Sequence, residues 1–259
     1  MFTLASASGN TFAYIWKDAL PAAFDGPTWA ERLCRRGASL GLDGLFLLDR
    51  PVPGQPWVLE HWDGDGGRTF CSNGSRGALC LPGAPKTAEV AAISSGERIT
   101  LRRDPDGFAI RLPDGPGFGF TPSPLDRVEP HACAWIGNPQ LVLELPRIGD
   151  LDLAAVAVPL RHHPGFPQGT NVNVLEILEP GLARIRSWER GVEGETLCCG
   201  TGCAVAGAWL TRRTGRPVWT LRTAGGDPLT VTTDLADATR WRELWLSGQA
   251  RLLGTFTPA

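Results

Sequence analysis

Hydrophobic and polar positions alternate along this chain mostly in short runs of period two, cut at intervals by glycine and proline. That pattern predicts many short strands and a few helices. Phe12–Trp16, Leu45–Leu48 and Trp57–Trp62 read as strands. Thr28–Gly41 has helical spacing instead: Thr28 can cap it, Glu31 follows three residues later, and Leu33, Ala38 and Leu40 supply apolar positions. From Cys71 to Cys80 the sequence starts glycine-rich and becomes compatible with a helix, and three short strands are expected between Ala88 and Leu112. The Pro/Gly-rich stretch Pro113–Pro124 is the best boundary in the chain. Beyond it, strands are expected near 132–136, 141–145, 171–178 and 182–188, a short helix near 151–158, a helix over 199–213, and closing strands near 218–223, 229–233, 244–247 and 251–257.

The two halves therefore look alike. Each leads through strands to a glycine-containing turn that opens on cysteine and runs into a helix of small residues. The turns are Cys71-Ser72-Asn73-Gly74-Ser75-Arg76-Gly77-Ala78 and Cys199-Gly200-Thr201-Gly202-Cys203-Ala204-Val205-Ala206, and their leading cysteines lie 128 residues apart. This weak internal symmetry predicts two lobes, over residues 1–115 and 119–248, in an α+β fold.

Composition narrows the function classes. Hydrophobic residues at 42% and charged residues at 20% are those of a folded protein. The net charge of −2 gives no basic excess for nucleic acid, and no apolar run approaches the ~20 residues of a membrane span. The first ten residues lack the basic start and apolar core of a signal peptide, so the expectation is a cytoplasmic protein with neither nucleic-acid nor membrane partners. Seven cysteines, odd in number and irregular in spacing, read as free thiols rather than a disulfide framework.

The cysteine-led turns carry the candidate chemistry. A helix N-terminus exposes unpaired amides and the positive end of the dipole, so it can hold a carboxylate and can lower the pKa of a cysteine placed there. Two such turns facing each other would grip one carboxylate and put a sulfur on each face of its α-carbon. One thiolate would remove the α-hydrogen while one thiol returns a proton to the opposite face. The clamped carboxylate would take up the charge that develops. The other common route to such a carbanion is pyridoxal phosphate, which needs a Schiff-base lysine. Only Lys17 and Lys86 are available, neither in a glycine-rich phosphate-binding context.

These residues resemble the diaminopimelate epimerase family. The block Trp188-Glu189-Arg190-Gly191-Val192-Glu193-Gly194-Glu195-Thr196-Leu197-Cys198-Cys199-Gly200-Thr201-Gly202 is similar to the family's second active-site signature, with Glu193 as an insertion. Cys71–Arg76 is similar to the first, with Ser72 in place of a glycine. Ser8–Phe12, Gly41–Leu45, Gly137–Pro139, Phe166–Asn173 and Ser247–Ala250 match weaker motifs in the right order. The resemblance implies two pseudo-symmetric lobes, each a curled, mostly antiparallel sheet or barrel around a central helix, with the closing strand over 249–259 completing the first lobe. It implies cofactor-independent epimerisation of LL-diaminopimelate to meso-diaminopimelate in lysine biosynthesis, by a homodimer that takes a small amino-acid substrate.

By position, the resemblance makes Cys71 and Cys199 the acid–base pair. The amides of Ser72, Asn73, Gly200 and Thr201 would hold the reacting carboxylate, and Asn10 would lie near the amine. Asn138, Asn171, Glu189 and Arg190 would read the far end of the substrate, with Asp43 and Asp63 also candidates to line it. The sequence departs from the family at Gln140, where histidine is usual, and at Asp63, where asparagine reads the distal carboxylate. An aspartate there would repel a carboxylate unless protonated or paired, so a related racemase of a basic amino acid is the alternative reading. A third is a silent carboxylate-binding protein on the same scaffold.

Blander roles stand beside these. Cys34, Cys80, Cys133, Cys198 and Cys203 read as packing residues, and the spacing of Cys198, Cys199 and Cys203 is poor for a metal, so none is expected. Gly200-Thr201-Gly202 lacks the third glycine of a dinucleotide loop. Asn10, Asn138 and Asn171 could each stabilise a turn, and Glu189 with Arg190 could be a surface ion pair.

Overall fold

The computed structural model describes residues 2–21, 23–92, 98–114, 117–126 and 129–256. Residues 115–116 of the Pro/Gly-rich stretch, and 257–259 of the expected closing segment, lie outside that set. The chain divides into two compact units, Met1–Ile110 with Gly248–Ala259, and Arg111–Ser247. Among the described residues no helix is long and apolar enough to cross a membrane.

The first unit runs β1 (Phe2–Ala7), β2 (Asn10–Trp16), α1 (Gly26–Cys34), β3 (Gly44–Leu48), β4 (Trp57–Trp62), α2 (Ser72–Gly77), β5 (Thr87–Ala92), β6 (Arg98–Asp104) and β7 (Gly107–Arg111). β1 and β2 are antiparallel, β2 and β3 parallel, β3 and β4 antiparallel, β4 and β5 parallel, β5 and β6 antiparallel.

The second unit runs β8 (Gly119–Thr121), β9 (His131–Trp135), β10 (Pro139–Glu144), α3 (Leu153–Arg161), β11 (Asn171–Glu179), β12 (Leu182–Glu189), β13 (Gly194–Thr196), α4 (Gly200–Thr214), β14 (Val218–Arg222), β15 (Leu229–Leu235) and β16 (Trp241–Gly248). From β9 the same alternation recurs: antiparallel to β10, then parallel to β11, antiparallel to β12, parallel to β14, antiparallel to β15. β8, β13 and β16 extend it. The final strand, β17 (Ala250–Phe256), pairs antiparallel with β1. In both units each parallel pair is bridged by a helix, because parallel neighbours need a long crossover.

Period-two alternation gives each sheet two faces. In the first unit Ala13, Ile15, Leu45 and Leu47 pack with Ala30 and Leu33 of α1. The intervening Phe12, Tyr14 and Phe46 pack among themselves against α2, Tyr14 stacked on Phe46 and Phe12 edge-on to both. In the second unit Leu141, Leu143, Val172 and Val174 pack with Leu153, Ala157 and Leu160 of α3. α1 and α3 thus bury one stripe each, whereas α2 and α4 are central: all six residues of α2 and eleven of the fifteen in α4 are buried. Their small residues follow from close approach to the sheet. A β-carbon at Gly74 would stand 2.2 Å from Phe46 Cε2, and one at Gly207 would stand 2.4 Å from Val231 Cβ.

Four elements differ from expectation. Helix α1 begins two residues earlier and ends seven residues sooner: Asp25, not Thr28, caps it by accepting from the Thr28 amide at 3.2 Å, and Gly37 at φ +75° lies beyond its end. Strand β1 carries no strong strand residues beyond Phe2 and Thr3, and its buried Ala5 and Ala7 are extended because β2 and β17 pair with it from both sides. β8 and β13, three residues each, are likewise set by their neighbours.

Gly207→Ala tests the packing of α4 on β15. Forcing a methyl into that contact is expected to cost about 1–3 kcal/mol, read as a lower urea midpoint with an unchanged slope.

Candidate active site

Both cysteines of interest occupy the N-cap position of a central helix: Cys71 before α2 and Cys199 before α4. Each is extended (φ −123°, ψ 112° and φ −97°, ψ 103°), and each carbonyl accepts the amide four residues on, from Ser75 and from Cys203.

In the first unit the Gly74 amide donates to Cys71 Sγ at 3.4 Å. Asn73 donates to Asn10 Oδ1 at 2.9 Å and accepts from Arg76 Nη2 at 3.2 Å; the same nitrogen donates to Ser8 Oγ at 2.5 Å. Asp43 accepts from the Thr11 amide at 2.7 Å and from the Asn10 side chain; burial raises its pKa against these bonds. Asn10, Asp43, Ser72 and Asn73 thus gather at the Cys71 turn.

Asp63 joins a neighbouring cluster. Thr69 Oγ1 lies 2.9 Å from His61 Nδ1 and hydrogen-bonds Asp63, whose carboxylate stands 3.7 Å from His61 Nε2. His61, Thr69, Phe70, Cys71 and Ser75 line one small cavity. Burial pushes the His61 pKa down to about 3, so the ring is neutral. Partial burial raises that of Asp63, a push tempered by the 45% of its side chain open to solvent.

In the second unit Cys199 is 2% exposed, with Thr201 Oγ1 3.7 Å from its sulfur. The Glu189 carboxylate accepts from the Thr196 hydroxyl at 2.6 Å and hydrogen-bonds the Cys199 sulfur. Asn138 Oδ1 accepts from Gln140 at 2.9 Å, and Gln140 also donates to Thr201 at 3.0 Å. Asn171 accepts from the Arg190 amide at 2.7 Å, while the Arg190 guanidinium donates to the Gln168 carbonyl at 3.1 Å. Glu193, the inserted residue, stands at φ +52° and ion-pairs with Arg161 at 2.6 Å.

One sequence-based expectation fails here. A cysteine at a helix start was expected to be acidified, yet the Cys199 pKa is raised well above that of an ordinary thiol. Burial is the main cause and the Glu189 carboxylate the next; together they outweigh the Gly202 amide and the Thr201 hydroxyl. The resting state is a thiol hydrogen-bonded to a carboxylate.

The sequence reading did not single out His61, Thr69, Arg76 or Ser187, and it gave Asn173 no role. The signal for Ser187 is its pairing with Asn173 across β11 and β12, visible only once the register is known. Among the described residues, no three His, Cys, Asp or Glu side chains cluster as a metal site.

Solved structures of similar fold include a phenazine biosynthesis PhzF-family protein of Enterococcus faecalis (TM-score 0.67, 12% identity, 98% of this chain and 96% of that one). Another is a probable proline racemase of Agrobacterium radiobacter K84 (TM-score 0.65, 13% identity, 100% of this chain and 92% of that one). At these identities the likeness establishes the fold: an α+β chain of the class shared by those proteins. The family model described as Diaminopimelate epimerase matches residues 132–250. The diaminopimelate epimerase of Chlorobaculum tepidum is 32% identical over 87% of this chain and 89% of its own length. That of Phocaeicola vulgatus is 47% identical over 87% and 88%. The chain belongs to the diaminopimelate epimerase family and is an isomerase.

Two expectations follow. A carboxylate beside a thiol opposes a second negative charge, so Glu189→Gln is expected to lower the pH at which Cys199 ionises, measured from thiolate ultraviolet absorbance; an upward shift would contradict the assignment. For His61, the unfolded ring takes up its proton near 6.5 and the folded one holds out to about 3. Stability carried by the neutral ring is therefore lost as pH falls through that window. His61→Gln is expected to flatten this part of the urea-midpoint profile relative to wild type.

Proposed function

We propose that this chain converts LL-diaminopimelate to meso-diaminopimelate without a cofactor, with Cys71 and Cys199 exchanging the roles of base and acid on the two faces of one α-carbon. The observation that carries the reading is the equivalence of the two cysteines: each caps the buried central helix of its own unit, at the same point of a repeated topology. Family membership supplies the reaction type.

In one direction Glu189 takes the Cys199 proton, and the resulting thiolate removes the α-hydrogen. Cys71, as a thiol, returns a proton to the opposite face; the reverse direction exchanges the roles. The amides of Ser72, Asn73, Gly200 and Thr201 hold the α-carboxylate, where they meet the charge that develops in the transition state. Asn10 stands by the amine. Asn138, Asn171, Glu189 and Arg190 read the distal end, with Asp43 and Asp63 lining it. Lys17, one of two lysines, is engaged by Asp49 at 3.1 Å and Glu60 at 2.6 Å, a setting unlike that of a Schiff-base lysine. The same reading makes the protein a cytoplasmic homodimer of lysine biosynthesis.

Asp63 favours a second substrate. It sits beside a neutral His61 rather than beside a cation, so an ionised distal carboxylate would meet no compensating charge from that pair. A basic amino acid would meet attraction there instead.

Solvent deuterium incorporation at the α-carbon, compared for meso-diaminopimelate, histidine, ornithine and diaminobutyrate, separates the two substrates, and exchange with none of them sinks the enzyme reading. Cys71→Ala and Cys199→Ala are each expected to reduce exchange by about 100-fold to 10,000-fold or more. Full activity in either variant would end the two-thiol mechanism.

A further inference from the structure

The two units differ most where they should match. Gly74 and Gly202 each stand three residues after their cysteine, and each presses its backbone onto the sheet. A β-carbon at Gly74 would strike Phe46, whereas one at Gly202 would stand 2.1 Å from Asn173 Oδ1. Phe12 and Phe46 therefore have Gln140 and Asn173 as counterparts, at matching positions in the second and third strands of the repeat. An aromatic floor under one cysteine turn is replaced by an amide network under the other.

The network can be read atom by atom from a fixed anchor. The Leu141 carbonyl can only accept, so the Asn173 atom 3.1 Å from it is the amide nitrogen. That nitrogen gives its second proton to Gln140 Oε1 at 2.8 Å. Asn173 Oδ1 accepts from the Ser187 hydroxyl at 2.7 Å, which agrees with the same orientation. With its oxygen so engaged, Gln140 must turn its nitrogen the other way, where the two protons go to Asn138 Oδ1 at 2.9 Å and Thr201 Oγ1 at 3.0 Å. A threonine hydroxyl has one proton and so has a thiol. Thr201 receives a bond from Gln140, and the Cys199 proton faces the Glu189 carboxylate, which can only accept, so it is the Thr201 proton that meets Cys199 Sγ, 3.7 Å away. Gln140, Asn173 and Ser187 are 1%, 0% and 3% exposed, so bulk water does not compete for these bonds.

We infer that Gln140 is a positioning residue that acts through Thr201, committing the threonine hydroxyl proton to the sulfur of Cys199. The hydrogen bond is worth most when the sulfur carries negative charge, so it favours the thiolate that burial and Glu189 oppose. A glutamine does not titrate, and the orientation therefore holds at every pH at which the chain is folded. Glu189 of β12 is a charged group facing the sulfur. Cys71 accepts from the Gly74 amide, as Cys199 does from that of Gly202. The inference rests on the proposed role of Cys199 but concerns its ionisation alone.

The test follows thiolate ultraviolet absorbance against pH in the full chain, with the Cys199→Ser chain as blank. Thr201→Val is expected to raise the Cys199 midpoint by about one pH unit, and Thr201→Ser to leave it near wild type. Gln140→Glu replaces the donor by an acceptor that turns the Thr201 proton away, and it also adds charge. Its upward shift should therefore be larger with Thr201 present than in the Thr201→Val background, by about one pH unit. Equal shifts in the two backgrounds would overturn the inference, as would an unchanged midpoint in Thr201→Val. If Gln140→Glu does not fold, Gln140→Met carries the same cycle: a shift with Thr201 and none without it. The measurement needs no turnover. Failure to exchange any α-hydrogen would end the epimerase reading and leave this result standing.

Discussion

The constraint on which the rest depends is the contact between a bare backbone and a sheet side chain, made three residues after the cysteine of each turn. Gly74 against Phe46 and Gly202 against Asn173 set how deep each central helix sits and where its first amides point. A larger residue would lift the helix off its sheet and carry the cysteine with it. The small-residue character of the central helices and the burial of their first turns follow from allowing that approach.

A shared scaffold with different floors gives the two thiols different surroundings. Beneath α2 the sheet presents stacked aromatic rings, with Tyr14 donating to the Gly74 carbonyl at 2.8 Å. Beneath α4 it presents amides whose orientations are fixed in series back to a main-chain carbonyl. A buried amide network is stable only if every member is satisfied, and the chain Ser187–Asn173–Gln140–Asn138 meets that demand without a charged group.

Much of this was legible in the sequence, for identifiable reasons. β4 is legible to the residue because Trp57–Trp62 is rich in aromatic and β-branched residues and is bounded by turns, and the cysteine turns are visible because cysteine, glycine and small residues rarely coincide twice. β1 was not legible: alanine and serine have little strand preference, and the strand exists through partners at both ends of the chain. The Cys199 thiol was misjudged because a helix start was seen and a burial of 98% was not. The substrate-reading residues of the second unit were named as separate positions. That Asn138 and Thr201 share one glutamine became clear only with the strand register, which puts Gln140 opposite Asn171 and Asn173 opposite Ser187.

The pairing of β1 with β17 also orders events during synthesis. Residues 2–7 are made well before their second neighbour, residues 250–256, which follows the whole of the other unit. The Arg111–Ser247 unit can complete its own pairings while β1 still presents a row of open amides and carbonyls. Such an edge is a template for another chain. The unit that holds β1 is thus the half whose sheet closes last, and removing β17 would leave β1 with one open edge.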